Sequence, residues 1–228
     1  MPYAPGMELL HTAHVPAGEG PFPTVVALHG WGASAHDLVG LAPALHGGEA
    51  LVLCPQGPVA FEAAPGMLGY GWFPISMGRP PDPAAFAKGA SALRSFLDGA
   101  EASYPIDPRT LVLLGFSQGG VMAYDLALRE PERFAGLVAL SSWLPDALAD
   151  GLLRQPAHAR LPTLVVHGTR DPMIPIERGR SSRDRLQALR VPTTYREYEM
   201  GHEIRPEALR DLVVWLEERV LRGVSPVQ

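Results

Sequence analysis

The sequence of 228 residues predicts a single doubly wound α/β domain, with a mainly parallel sheet and helices on both faces. Three observations carry this expectation. Short apolar runs alternate with amphipathic stretches along the whole chain. Five of those runs, 24–30, 50–55, 110–117, 134–142 and 161–168, are aliphatic on both parities, as strands covered on both faces require. No repeat, low-complexity segment or linker interrupts the alternation.

The first strand is expected over 7–15 (MELLHTAHV), where apolar and polar residues alternate as they do nearer a sheet edge. TVVALHG (24–30) is the first buried strand, and a helix is expected over 36–46 before the next strand, ALVLCP (50–55). Residues 55–83 show no element, and a loop that long in a compact domain is usually functional or mobile. A helix over 83–103 leads to the strand 110–117, a helix over 118–130 and the strand 134–142. After the strand 161–168 come a helix over 176–190, an alternating edge strand over 193–200 and a last helix over 206–222. In that helix Leu209, Leu212, Val213, Leu216 and Val220 recur at helical spacing, and Pro206 stands in the first turn, where proline is favoured.

Composition narrows the function. The net charge is −5 and Lys88 is the only lysine among 19 basic residues, so no nucleic-acid surface is expected. A single cysteine, Cys54, allows no intrachain disulfide and fits a reducing compartment. No secretory signal and no apolar run of ~20 residues is visible, so a cytoplasmic protein without a membrane span is expected.

The chemistry is concentrated in LVLLGFSQGG (111–120), where a strand meets G-x-S-x-G and then a helix. This pattern is a nucleophile elbow: Gly115 and Gly119 permit the tight turn, and Ser117 is held clear of the sheet before a helix N-terminus. A serine hydroxyl needs a base, and the base needs an orienting acid. Asp171 follows the strand ending at HG (167–168), and His202 follows the last strand, so Ser117, Asp171 and His202 occur in the order this fold uses. The oxyanion donors are expected to be the backbone N–H groups of Gln118, after the serine, and Trp31, after His29-Gly30. His29 precedes the serine in the chain and is read as a buried loop-former, and His167 as structural. His11, His14, His36, His46 and His158 have no partner at metal-ligand spacing, so no metal is expected.

LHGWG (28–32), GFSQGG (115–120), HGTRDPMIP (167–175) and MGHEI (200–204), in that order, resemble the small phospholipase/carboxylesterase family of α/β-hydrolases. That family includes carboxylesterases, lysophospholipases and acyl-protein thioesterases. The resemblance spans most of the chain and implies one α/β-hydrolase domain over 1–228 without a separate cap. It implies a cofactor-free serine hydrolase, often homodimeric, with Ser117, Asp171 and His202 as its triad and Trp31 and Gln118 as oxyanion donors. Two departures bear on the substrate. The thioesterase branch has an aspartate soon after the first H-G-x-G, where this chain has Ala33 and Ser34. It also has a Trp-aromatic-Asp run, where Trp72-Phe73 is here followed by Pro74. Both point away from protein deacylation and leave a general carboxylesterase.

An apolar acyl site is expected from Trp72 and Phe73 on the long loop, Trp143 and Leu144 opposite, and Met173 beside Asp171. Met77 extends that wall, and Arg79 and Arg170 are the basic residues within reach. The expected substrate is a small ester with a short-to-medium uncharged acyl chain.

Overall fold

The computed structural model describes residues 8–75 and 81–221. Its strands are β1 (His11–His14), β2 (Phe22–Leu28), β3 (Leu51–Pro55), β4 (Val59–Ala64), β5 (Met67–Gly71), β6 (Ile106–Phe116), β7 (Gly136–Leu140), β8 (Thr163–Gly168) and β9 (Thr193–Tyr198). Seven of them form one sheet in the order β1-β3-β2-β6-β7-β8-β9. Only β1 runs antiparallel, against β3; the other neighbours are parallel. Every residue of β2, β3, β7 and β8 is buried, which is why their sequences are apolar on both parities.

Successive side chains of a strand point to opposite faces, and the core divides accordingly. Val26 and Leu28 of β2 pack with Leu93, Phe96 and Leu97 of α1 (Pro83–Ser103) and with Val121 to Leu128 of α2 (Gln118–Arg129). Leu186 of α4 (Ile176–Ala188) joins that face. Val25 and Ala27 face the other way, onto Leu38, Leu45 and the Leu212, Trp215 and Leu216 stripe of α5 (Pro206–Arg219). Asp82 caps α1, its carboxylate accepting the Ala85 N–H at 2.8 Å, with Pro83 in the first turn. Among the described residues no helix is long and apolar enough to cross a membrane.

The structure differs from the sequence reading in several places. The helix expected over 36–46 is a run of 3₁₀ turns over Val39–Gly48, broken where Leu45 leaves helical geometry and His46 and Gly47 take φ of 49° and 63°. Pro43 inside the run has no N–H to donate, and the Gly47-Gly48 pair ends it. Residues 55–83 contain an antiparallel hairpin, β4 with β5, turning at Pro65-Gly66. A short helix, α3 (Asp146–Asp150), follows β7 where no element was expected. Met7 and Arg222, at the outer ends of the first expected strand and the last expected helix, lie outside the described residues.

Candidate active site

β6 ends at Phe116, and Ser117 takes φ 53° and ψ −120° at the N-cap of α2. That conformation is costly for a residue with a side chain and persists only where the surroundings impose it. Here the close packing of the elbow imposes it. A Cβ on Gly115 would lie 2.3 Å from the Gly119 carbonyl oxygen, and one on Gly119 would lie 2.1 Å from that of Leu28. The elbow's backbone is also tied down: Ser117 N–H donates to Leu140 O at 2.9 Å, and the Ser142 hydroxyl donates to Ser117 O at 2.7 Å.

Asp171 lies just after β8, its side chain wholly buried. Its Oδ1 accepts the N–H groups of Met173 and Ile174, both at 2.9 Å, and its Oδ2 accepts Nδ1–H of His202 at 2.7 Å. His202 stands in the turn between β9 and α5 with its ring 4.9 Å from that of Phe116. Because the carboxylate takes the Nδ1 proton, Nε2 carries the lone pair, and it faces Ser117 Oγ at 3.0 Å. Three side chains from three strand ends, up to 85 residues apart in sequence, thus join in one chain of hydrogen bonds. Such a chain can draw the proton from the serine as its oxygen attacks a carbonyl.

The loop after β2 approaches from the other side. A Cβ on Gly30 would lie 3.1 Å from Ser117 Cβ, so the backbone at 30–31 passes directly beside the serine. Among the described residues, neither the Trp31 N–H nor the Gln118 N–H donates to a protein acceptor. Both donors are therefore available to an oxyanion, Gln118 at the positive end of α2.

Three residues brace this loop. His29 donates Nδ1–H to Gly30 O at 2.7 Å and accepts the Gly57 N–H on Nε2 at 2.9 Å. Burial holds its imidazole below the usual histidine range, against the opposing pull of the Gly30 carbonyl and Asp37. Trp72 donates its indole N–H to His29 O at 2.9 Å. The buried Gln118 side chain accepts Trp72 N–H at 2.8 Å and donates to Phe73 O at 2.7 Å. The β4–β5 hairpin is attached to the same loop. Gly32 N–H donates to Tyr70 O, Tyr70 N–H donates to Ala33 O, and the Trp31 ring stacks on Phe61 at 4.1 Å.

The expected acyl wall requires correction. Trp72 and Phe73 are 0% and 1% exposed and Leu144 is 2% exposed, so none of them offers a face to a bound molecule. The reason for Trp72 is its indole N–H, which needs a buried acceptor and finds the His29 carbonyl in the loop after β2. Trp143 is half-buried and Met173 is exposed. Arg170 lies on the surface in an ion pair with Glu199. Met77 and Arg79 lie outside the described residues. Four of the five histidines set aside as non-ligating have other partners for their side chains: His11 bonds Tyr104, His14 the Gly48 carbonyl, His46 Glu217 and His158 the Leu128 carbonyl.

Sequence reasoning missed the bracing roles of the Gln118 side chain and Ser142. An amide side chain directly after the elbow serine was a signal for the first. The paired serines closing β7 were a signal for the second.

Comparison with known proteins agrees with this architecture. The family model for phospholipase/carboxylesterase proteins matches residues 11–219. The chain belongs to the phospholipase/carboxylesterase family of α/β-hydrolases. It is 29% identical over 216 residues to acyl-protein thioesterase 1 of Gibberella zeae, an alignment covering 86% of this chain and 90% of that protein. Among solved structures, esterase PE8 is 25% identical with a TM-score of 0.79, covering 92% of this chain and 99% of that one. The Bacillus cereus carboxylesterase, 21% identical, has the same fold with a TM-score of 0.80, over 93% of this chain and 95% of that one.

Proposed function

We propose that the protein is a serine carboxylesterase that cleaves small esters through an acyl-enzyme. The supporting observation is the continuous chain Asp171–His202–Ser117, with links of 2.7 and 3.0 Å. Ser117 Oγ attacks the ester carbonyl as its proton passes to His202 Nε2, and Asp171 stabilises the imidazolium that forms. The carbonyl oxygen, now negative, sits against the N–H groups of Trp31 and Gln118. The tetrahedral adduct collapses as His202 returns the proton to the leaving alkoxide. A water, activated by the same histidine, then releases the acid.

A short-to-medium uncharged acyl chain fits the surroundings. Among the described residues, Trp31, Phe116, Trp143 and Met173 are apolar side chains with exposed surface on the segments that carry or adjoin these residues, while the larger wall expected from Trp72 and Phe73 is buried. Arg170, the described basic residue beside Asp171, is already paired with Glu199, so an anionic substrate gains little there. The Gibberella zeae relative makes acyl thioesters the second class to measure, since the same attack serves either leaving group. We further propose a cytoplasmic homodimer, a reading that the single buried thiol and the family likeness support; sedimentation tests the dimer.

The test joins a fluorophosphonate probe to a substrate panel. The probe is expected to label Ser117, and Ser117→Ala to lose ~10⁶ in kcat while keeping its fold. Among p-nitrophenyl esters, kcat/KM is expected to peak at short-to-medium chains and to exceed that for an acyl thioester. A protein that neither labels nor hydrolyses any of these would be a binding protein that keeps the fold without the chemistry.

A further inference from the structure

Four buried polar atoms have no hydrogen-bond partner among the described residues: Tyr124 Oη, Ser141 Oγ, His167 Nδ1 and Tyr195 Oη. Two of them converge. A Cβ on Gly179 of α4 would lie 2.7 Å from His167 Nδ1 and 3.1 Å from Tyr195 Oη, so both atoms face one small space that this glycine keeps open. An unpaired acceptor and an unpaired hydroxyl, both buried, each carry a desolvation cost that pairing would remove.

The position of His167 gives the pair its meaning. Asp171 Oδ2 lies between two imidazoles, with His202 Nδ1 at 2.7 Å and His167 Nε2 at 3.8 Å. Only His202 can shuttle the serine proton, so a second imidazolium at the carboxylate would compete with the one that forms during catalysis. His167 instead directs its Nε2–H to Ile174 O at 2.9 Å. The Ile174 N–H in turn donates to Asp171 Oδ1, so the ring fixes the turn that holds the carboxylate. With the proton on Nε2, a neutral ring presents a lone pair at Nδ1, and that atom needs a donor.

We infer that His167 is a positioning residue for Asp171, its Nε2–H fixed on Ile174 O, and that a small shift across the space beside Gly179 lets the Tyr195 hydroxyl donate to Nδ1, a bond the two atoms do not make in this structure. Burial is the main reason the Tyr195 phenol is pushed up, so the hydroxyl keeps its proton to donate. Two charged groups act on the tyrosine: Arg183 lies over its ring at 5.1 Å, and Glu197 of β9, bridged to Arg180 of α4, also pushes the phenol up and is the acceptor that competes with Nδ1 for its proton. His167 acts through Asp171 and touches neither the serine nor a substrate. This inference rests on the triad reading proposed above and names one more residue that serves it.

The test compares His167→Leu, His167→Gln and Tyr195→Phe, with kcat expressed per site titrated by the fluorophosphonate. A misplaced carboxylate is expected to cost His167→Leu about 10- to 100-fold in kcat while KM stays nearly constant. His167→Gln can still donate to Ile174 O and is expected to recover most of that loss. Tyr195→Phe removes one neutral hydrogen bond and is expected to cost about 2- to 10-fold. ¹⁵N NMR of the wild-type protein at neutral pH should show His167 as the single Nε2–H tautomer, with Tyr195→Phe disturbing its Nδ1 signal. A His167→Leu protein with wild-type kcat per titrated site would overturn the inference, whatever its melting temperature. If His167→Leu fails to fold, an Nδ1 signal unmoved by Tyr195→Phe overturns the pairing instead. A wild-type protein without esterase activity would sink the proposed function first, so the two failures are distinguishable.

Discussion

Cys54 and Ser117 show how placement decides reactivity in this chain. A thiol is intrinsically the better nucleophile, yet Cys54 lies buried in the middle of the core, on β3. Burial pushes its pKa up to about 12, with only a partial offset from the Thr12 hydroxyl. Ser117 instead stands at a strand end, with its oxygen against His202 Nε2 and α2 beginning at the next residue. Alkylation of Cys54 by iodoacetamide at about pH 8 is therefore expected to run ~10³-fold slower in the native protein than in denaturant, from the lost thiolate fraction alone. Mass spectrometry of the labelled peptide measures this directly. Rapid native labelling would place the thiol at the surface.

At the scale of elements, the β4–β5 hairpin and the loop after β2 behave as one unit. Two backbone hydrogen bonds and the Trp31–Phe61 stack join them, and Trp31 N–H is one of the two proposed oxyanion donors. Stacked aromatic pairs contribute about 0.5–1.5 kcal/mol, so Phe61→Ala is expected to loosen Trp31 and lower kcat about 2- to 10-fold. Labelling of Ser117 by the probe should be slowed in proportion, while the melting temperature changes little. Unchanged kcat would mean that the loop holds its shape without the hairpin. This unit was also the part of the fold least legible in the sequence. β2, β3, β7 and β8 are buried on both faces and announce themselves as unbroken aliphatic runs. The hairpin instead leaves Met67 and Leu68 exposed and buries Gly69 and Gly71, so hydrophobicity does not follow the pleat. That the three residues of the proposed triad are neighbours could be read because they sit at strand ends in a fixed order. The acyl wall could not, because an aromatic side chain reads the same whether it faces a substrate or braces a loop.

At the scale of the whole molecule, His29 ties together segments that are distant in sequence. It follows β2, holds the loop at Gly57 through Nε2, and anchors Trp72 through its carbonyl, so three parts of the chain meet at one buried residue. Both ring nitrogens are committed, Nδ1 as a donor and Nε2 as an acceptor, and a second proton on the ring would break the bond from Gly57. Burial lowers its pKa in the folded state, whereas in the unfolded chain it titrates near ~6.5. As the pH falls through that unfolded value, the unfolded chain binds a proton that the native state excludes. Stability is then lost progressively until the lowered folded value is reached, and it is fully present above the unfolded one. The melting temperature is therefore expected to fall between about pH 7.5 and 5.5, a window above the range where most carboxylates protonate. His29→Gln should be less stable than the wild type at the upper end of that window but should lose less on acidification, because it lacks the group whose protonation the folded state resists. Thermal unfolding of the two proteins across the same buffers measures the difference in slope. Parallel curves would mean that the acid sensitivity of this fold arises elsewhere.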